Sequence, residues 1–151
     1  MKNLILAFCF SLLPHAASAE TSMIPINPPF ATIPGVSQAV LVEGGRTLYI
    51  SGQVPFDAEG LVEGDLLVQA DQAFANFTAT LEAAGADWSN VVRLTFYIKD
   101  YDPAQLEVMR ELRDKWVLTD VPPASALIGV ASLFHPGSLI EIDGIAVLPS
   151  N

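Results

Sequence analysis

The chain has 151 residues, with 7 basic and 17 acidic side chains and a formal net charge of −10. This length suits one compact domain. The acidic balance repels phosphate backbones and anionic membrane surfaces, so nucleic acid is an unfavourable partner.

The first segment, Met1 to Ala19, has the three-part pattern of a secretory signal peptide. Lys2 precedes an apolar run from Leu4 to Leu13, and small residues follow, with cleavage expected after Ala19. The apolar run is too short to span a bilayer. An ordinary buried strand or helix is the alternative interpretation. A lipid anchor at Cys9 is disfavoured because this residue lies inside the apolar run.

Cleavage after Ala19 predicts a periplasmic or secreted protein that is not membrane-bound in its mature form. Cys9 is the only cysteine, so the mature chain has no disulfide, thiolate nucleophile or cysteine metal site. Loss of Lys2 leaves 6 basic against 17 acidic side chains, a balance of −11. Stability must then come from the core or from assembly.

Residues 20–35 contain four prolines and predict an extended arm ahead of a domain at residues 36–151. A short strand is predicted from Ala39 to Val42. Glu43-Gly-Gly-Arg46 predicts a hairpin turn, because glycine supplies the positive φ of tight turns. Thr47 to Gly52 is predicted to return as the second strand of that hairpin.

Two amphipathic helices are predicted, with a strand between them. The first runs from about Asp65 to Ala84, and Gly85 ends it. Val91 to Ile98 is rich in β-branched and aromatic residues, which favours a strand. Asp102-Pro103 is typical of an N-cap followed by proline, and it predicts a second helix to about Val117. The predicted inward residues of the two helices are Leu67, Ala70, Phe74, Phe77, Leu81, and Leu106, Met109, Leu112, Trp116.

The last part of the chain predicts two buried strands joined by a loop at His135-Pro-Gly137. Between Leu127 and Val130 the apolar residues do not alternate, which is typical of a strand covered on both faces. In the final strand, a period of two places Glu141 and Asp143 on the face opposite the neighbouring isoleucines. An acidic residue in so apolar a strand is costly to bury without a partner or a function, so Glu141 is the residue to explain.

The predicted order is strand, strand, helix, strand, helix, strand, strand. This order indicates an α+β fold with a mixed sheet and two helices on one face. The helices cover only one face of the sheet. Since the strands are apolar on both faces, the second face is expected to pack against another subunit.

The residues favour acid–base chemistry over other reaction types. No His/Asp/Glu cluster has metal-ligand spacing, and His135 is interpreted as a surface loop residue; no metal or cofactor is expected. Ser125 lacks a nucleophile elbow and a nearby base. Glu141 could position or deprotonate a water at the lip of an apolar cleft. From position alone, a structural glutamate paired across a subunit boundary is an equally good interpretation.

Several motifs follow one another along the chain: Tyr49-Ile-Ser-Gly-Gln-Val-Pro55, Glu82-Ala-Ala-Gly-Ala86, Phe96-Tyr-Ile-Lys-Asp100, Pro122-Pro-Ala-Ser-Ala-Leu-Ile-Gly-Val-Ala131 and Leu139-Ile-Glu-Ile-Asp-Gly-Ile-Ala146. In this order they resemble the Rid family, the YjgF-like imine and enamine deaminases. The resemblance covers roughly residues 30 to 148 with matching spacings.

The resemblance implies a homotrimer of chorismate-mutase-like protomers with a ligand cleft at each subunit boundary. It also implies that Glu141 orients the water that attacks an imine carbon, and that Gly52 supplies a backbone N–H to the ligand.

The sequence departs from the family pattern at other ligand-binding positions. Active deaminases carry an arginine that holds the substrate carboxylate, and this position is matched to Ala124; the family's nearby cysteine is matched to Ala126. A methyl group replaces two charge-assisted hydrogen bonds of roughly 1.5–3 kcal/mol each. The family's asparagine on the second helix is matched to Glu107. Arg110 and Arg113 would substitute for the arginine only if they point inward, and an amphipathic helix favours solvated positions for them.

The predicted function is therefore binding of a small molecule in inter-subunit clefts, with hydrolysis of an imine or enamine bond in a ligand lacking a free carboxylate. The alternative is a non-catalytic ligand-binding or chaperone-like trimer that uses the same clefts. A third interpretation, a cytosolic deaminase, requires that residues 1–19 are not a leader.

Overall fold

The computed structural model describes residues 20–29 and 33–150. The predicted signal peptide, residues 1–19, lies outside the described residues. The strands, in chain order, are β1 (Ser22–Ile26), β2 (Ala39–Glu43), β3 (Arg46–Gln53), β4 (Phe56–Asp57), β5 (Gly60–Leu61), β6 (Val91–Lys99), β7 (Ala124–Val130) and β8 (Ile140–Leu148). The helices are α1 (Leu66–Ala83) and α2 (Leu106–Trp116), and two short 3₁₀ turns occupy Trp88–Asn90 and Pro103–Gln105.

Four strands form the main sheet in the order β3-β8-β6-β7. The β6–β7 pair is parallel, and the other two pairs are antiparallel. Both helices pack on one face of this mixed sheet, so the α+β prediction is confirmed. We call the other side of the sheet the open face.

The N-terminal strands depart from the predicted hairpin. Gly44 and Gly45 have positive φ values of 72° and 84°, as the turn requires. The strands on either side of that turn nevertheless pair elsewhere: β2 pairs with β1, and β3 pairs with β8. The predicted hairpin is therefore wrong, because the segment from Ser22 to Ile26 within the arm becomes the partner of β2.

The core lies between α1, α2 and the sheet. Phe74 has its ring centroid 5.9 Å from that of Trp88, 5.8 Å from that of Phe96 and 6.3 Å from that of Trp116. Such aromatic contacts add to the free energy gained by burying apolar area. Contrary to the prediction, Leu67 is 39% exposed. It lies in the first turn of α1, beside the groove between the two helices rather than under them.

The start of α2 follows the capping signal in the sequence. The Asp102 carboxylate accepts a hydrogen bond from the Ala104 N–H at 2.8 Å, and Pro103 occupies the first position of the 3₁₀ turn. The regular helix then begins at Leu106. Met109 and Leu112 are buried as predicted, whereas Leu106 and Trp116 are only partly buried.

The β7 strand is an edge strand of the main sheet. Ile128 is 42% exposed, since no other part of the described chain covers the open face at this edge. The run from Leu127 to Val130 is therefore not buried on both faces within one protomer. In the described part of the chain, neither helix is long and apolar enough to cross a membrane.

Candidate active site

Glu141 is placed by the alternation of β8. Ile140 and Ile142 are fully buried beneath the helices, and Glu141 and Asp143 point to the open face, where they are partly buried. The predicted separation of the two faces is confirmed. The strand therefore holds a carboxylate at the boundary between the core and the open face.

A β-bulge in β3 brings Gly52 against Glu141. Ile50 pairs with Gly144 and Gln53 pairs with Ile142, so two residues of β3 face one residue of β8. A Cβ atom added at Gly52 would lie 1.7 Å from Glu141 Oε1. Only glycine leaves room for this carboxylate, which lies directly over the bulge.

Tyr97 and Asp143 form a polar pair beside this contact. The Tyr97 hydroxyl donates to Asp143 Oδ2 at 3.1 Å, and Tyr97 is the cross-strand neighbour of Glu141. The hydrogen bond to Asp143 raises the pKa of the Tyr97 phenol above its ordinary value of 10.0, and burial and the negative charges of Asp143 and Glu141 raise it further. Glu141 itself accepts no hydrogen bond from residues 20–29 or 33–150. Its oxygens are therefore available to a water or a ligand.

A separate cavity of 280 Å³ lies between α2 and β7 at the far edge of the sheet. From β7, Ser125 and Leu127 line it, and from α2, Arg110 and Arg113 line it. The remaining lining residues are apolar: Ile33, Val36, Phe96, Leu106 and Met109. This cavity combines apolar walls with a few polar groups, as small-molecule sites do.

The two arginines of α2 lie in different environments. Arg110 has a side chain that is 49% exposed and pairs with Glu107 one turn earlier. Arg113 has a side chain that is only 17% exposed, and its guanidinium packs beneath Gly35. The expectation that both arginines are solvated is wrong for Arg113, because the chain near Gly35 folds over α2 and covers it.

The predicted ligand-binding residues do not all meet in one place. Gly52 and Glu141 are in contact, and their roles toward a ligand stay predictions. Ala124 and Ala126 lie on the open face of β7, since they pair with Arg93 and Thr95 on that face of β6. Because side chains alternate along a strand, Ala124 and Ala126 do not line the cavity between α2 and β7.

Glu107 has a side chain that is 78% exposed and lies outside this cavity, in the neighbouring groove on the surface of α2. Its contact with a ligand, like that of the two alanines, stays a prediction. Sequence reasoning missed Ser125 as a cavity residue. The alternation of β7 contained that signal, because it places Ser125 on the same face as Leu127.

Acidic and histidine side chains do not form a metal site in the part of the chain that the structure describes. No group of three or more His, Cys, Asp or Glu residues there is arranged to hold an ion. His135 lies in the loop before β8, where its Nδ1 accepts from the Gly137 N–H at 3.2 Å and its ring packs edge-on against Phe56. These contacts give His135 a structural role in the loop.

Residues 29–148 match the protein-family model described as Endoribonuclease L-PSP. Human 2-iminobutanoate/2-iminopropanoate deaminase is 39% identical over 113 residues, which cover 74% of this chain and 78% of the human protein.

Solved structures agree with this match. A protein of unknown function from Yersinia pestis, YyfB of the conserved Rid family, is 41% identical with a TM-score of 0.76, covering 83% of this chain and 98% of that one. RidA from the Antarctic bacterium Psychrobacter sp. is 37% identical with a TM-score of 0.61, covering 78% of this chain and 92% of that one. The chain is therefore similar to these proteins in both sequence and fold.

Proposed function

The chain belongs to the Rid family, and on that premise we propose that it hydrolyses an imine or enamine bond in a small molecule, with Glu141 orienting the attacking water. The contact between the Glu141 carboxylate and Gly52 is the observation that carries this proposal. It leaves a partly buried carboxylate without a protein partner among the described residues, at a bulge where the backbone is open to a ligand.

The proposed reaction needs one general base and no cofactor. A water that donates a hydrogen bond to Glu141 attacks the imine carbon, and the π electrons of the C=N bond move to nitrogen. The carboxylate takes one proton of the water and delivers it to that nitrogen, which gives a carbinolamine with a hydroxyl and an amino group on the same carbon. Glu141 then takes the hydroxyl proton and delivers it to the amino nitrogen as the C–N bond breaks, so that a carbonyl compound and ammonia leave and the carboxylate is regenerated. The backbone N–H of Gly52 is proposed to donate to the ligand during these steps.

Relatives support an imine substrate more than RNA. Proteins named 2-iminobutanoate/2-iminopropanoate deaminase from human and rat are 39% and 40% identical to this chain. The family model carries the description of an endoribonuclease. A formal charge of −10 opposes binding of an RNA backbone, whose recognition depends on basic side chains.

A homotrimer with inter-subunit clefts is part of the proposal. The site residues of one protomer lie at two edges of the sheet, with Glu141 and Gly52 beside β3 and the cavity beside β7. A cleft between neighbouring copies would join the β3 edge of one protomer to the β7 edge of the next. The exposed Tyr49 and Ile128 side chains on the open face support burial against another copy.

We also propose that the chain is exported and that its mature form begins at Glu20. Mass spectrometry of the protein from its natural host should give the mass of residues 20–151, and cell fractionation should place it outside the cytosol. A cytosolic protein that retains Met1 or Lys2 would contradict this proposal.

The function is tested by a hydrolysis assay on purified residues 20–151. Imines are generated in situ from amino acids and, in parallel, from simple amines without a carboxylate. We expect release of ammonia from at least one set at a rate above that of the buffer. Release at the buffer rate for both sets would contradict the proposal and favour a non-catalytic ligand-binding protein.

A further inference from the structure

We propose that Tyr97 is a positioning residue: its hydroxyl fastens the Asp143 carboxylate away from Glu141, so that Glu141 alone accepts the proton of the water. This inference rests on the proposed function for the role of Glu141, and it adds Tyr97 and Asp143 to the residues on which the reaction depends. Neither side chain touches the substrate in this account, because both act through Glu141.

The open face of β8 carries two carboxylates close together. Glu141 and Asp143 lie two residues apart on that face, and both are partly buried. Such residues are separated by about 6.6 Å along a strand, which is within reach of two flexible side chains. Carboxylates that share a site oppose each other's ionisation and share a proton. A carboxylate that activates water has to be ionised, so the Asp143 charge bears on the proposed reaction.

The Tyr97 side chain connects the two acidic positions. On β6, Tyr97 pairs directly across from Glu141, and Thr95 pairs across from Asp143. The Tyr97 hydroxyl nevertheless donates to its diagonal neighbour, Asp143 Oδ2, at 3.1 Å. This hydrogen bond fixes the direction of the Asp143 carboxylate, since an ionised carboxylate can only accept. Glu141 is thereby left free to bind a water.

The phenol of Tyr97 stays protonated where the reaction is expected to run. The hydrogen bond to Asp143 raises its pKa above the ordinary value of 10.0, and burial and the charges of Asp143 and Glu141 raise it further. Tyr97 therefore remains a hydrogen-bond donor to Asp143 throughout the neutral pH range.

The cations near this face do not replace the contact in the described part of the chain. The ion pairs there include neither Glu141 nor Asp143. Arg93 and Lys99 share the open face on β6, and Lys99 Nζ donates to a backbone carbonyl of the loop before β8 at 2.9 Å. Tyr49 is the titratable open-face residue of β3. The open-face residues of β7 do not titrate: Ala124, Ala126, Ile128 and Val130.

The loop before β8 offers no replacement either. Its titratable side chain is His135, whose Nδ1 accepts from the Gly137 N–H and whose ring packs against Phe56. Among the described residues, Tyr97 is the side chain that donates to Asp143. Loss of its hydroxyl would therefore release the Asp143 carboxylate beside Glu141.

Tyr97→Phe in residues 20–151 tests the inference, because it removes the hydroxyl and keeps the ring. Tyr49→Phe is the matched control, since it makes the same chemical change at a 78% exposed position on the same face. Two readouts are followed from about pH 4 to pH 9, a range that spans carboxyl titration. They are kcat/KM for imine hydrolysis and, without substrate, the NMR shift of the Glu141 carboxyl carbon, assigned with Glu141→Gln.

We expect Tyr97→Phe to move the midpoints of both titrations to higher pH by about half a unit or more, because the released Asp143 charge opposes ionisation of Glu141. On the acidic limb, kcat/KM should fall about threefold or more, whereas above it kcat/KM should stay within about twofold of the wild-type value. Tyr49→Phe should keep the wild-type midpoints. A purely structural role of Tyr97 would lower kcat/KM equally at every pH.

Asp143→Asn separates an effect through Asp143 from a direct effect on Glu141. Because this variant removes the neighbouring charge, its midpoints should stay or move to lower pH. Adding Tyr97→Phe to Asp143→Asn should then shift them no further. An equal upward shift in both backgrounds would overturn the proposal. If Tyr97→Phe does not fold, Asp143→Asn still decides, since a midpoint that rises in this variant contradicts the proposal.

Failure of this inference and failure of the proposed function give different results. If the wild type hydrolyses imines but Tyr97→Phe keeps both wild-type midpoints, Tyr97 does not position Asp143 and the proposed function stands. If the wild type hydrolyses no imine, the proposed function is wrong. The carboxyl titration then decides by itself whether Tyr97 keeps the two carboxylates apart.

Discussion

At the scale of single residues, the site depends on a close approach that only glycine permits. The bulge in β3 turns Gly52 toward Glu141, and the carboxylate occupies the space that a Cβ atom would need. The period-two pattern of the last strand predicted the face on which Glu141 lies. It did not predict the contact with Gly52, because a one-residue bulge changes the register without leaving a clear sequence signal.

Gly52→Ala tests this contact directly. The added methyl group must displace the carboxylate by more than 1 Å, and such a displacement of a catalytic group lowers kcat/KM by about 100-fold. The measurement is imine hydrolysis alongside thermal unfolding, with Ser51→Ala as the control at the exposed neighbouring position in the bulge. Wild-type kcat/KM in folded Gly52→Ala would show that the position of Glu141 over Gly52 is not required.

The burial of the Arg113 side chain was not predictable from the sequence of α2 alone. The amphipathic pattern of α2 favoured a solvated arginine, and it correctly described Arg110. The sequence pattern of one helix does not include the loop near Gly35 that folds over it. Long-range packing of this kind decides whether a boundary residue is buried.

At the scale of secondary-structure elements, local sequence signals predicted where helices and turns lie better than they predicted which strands pair. The N-cap at Asp102 and the apolar stripe of α1 were recognisable, and both helices lie where these signals place them. The turn at Gly44-Gly45 was also recognisable. The pairing of β2 with β1 was not, because a turn signal does not exclude a competing strand elsewhere in the chain.

Asp71 on α1 forms polar contacts with the end of α2. Its Oδ1 accepts hydrogen bonds from Lys115 Nζ at 2.6 Å and from Trp116 Nε1 at 2.7 Å. Burial by itself would raise the pKa of the Asp71 carboxyl. The hydrogen bonds from Lys115 and Trp116, with the Lys115 charge, bring its pKa below the ordinary value of 3.8.

Asp71→Asn should lower the free energy of unfolding by about 1 kcal/mol at pH 7, because the pair with Lys115 is largely exposed to solvent. Since the folded-state pKa of Asp71 is depressed, its ionic contribution is present above pH 3.8 and is lost as the pH falls through the folded value. The stability difference between wild type and variant should therefore shrink below about pH 4.

Urea unfolding at several pH values measures this effect, and Glu63→Gln is the control at an exposed acidic residue outside the pair. A stability difference that stays constant from pH 7 to pH 3 would show that the Asp71 charge does not link the helices.

At the scale of the whole molecule, the sheet leaves one face uncovered in the described chain. Tyr49 is 78% exposed there, and Ile128 at the β7 edge is 42% exposed. The sequence predicted that the helices cover only one face, and the structure confirms it. The proposed trimer, in which another copy would cover this face, stays a prediction.

Tyr49→Arg should convert the proposed trimer to monomers without unfolding them. A charged side chain on this face would have to be buried against the next copy, which is costly without a partner. Sedimentation velocity of residues 20–151 measures the change, and circular dichroism checks the fold. Leu118→Arg is the control, because Leu118 is 75% exposed but lies after α2, in a groove lined by Met23 and Ser89.

If the wild-type protein sediments as a monomer, the proposal of a cleft between subunits is wrong. A trimer that persists in Tyr49→Arg would show that the assembly does not use this part of the open face.

The central claim is that Glu141 handles the water in imine hydrolysis, and the most direct measurement is kcat for Glu141→Gln under saturating substrate. Glutamine keeps the shape of the side chain but cannot accept the proton. We expect kcat to fall by about 100-fold or more, as loss of a general base does, while KM stays within about threefold. A folded Glu141→Gln variant with wild-type kcat would contradict the claim and leave Glu141 as a structural residue beside Gly52.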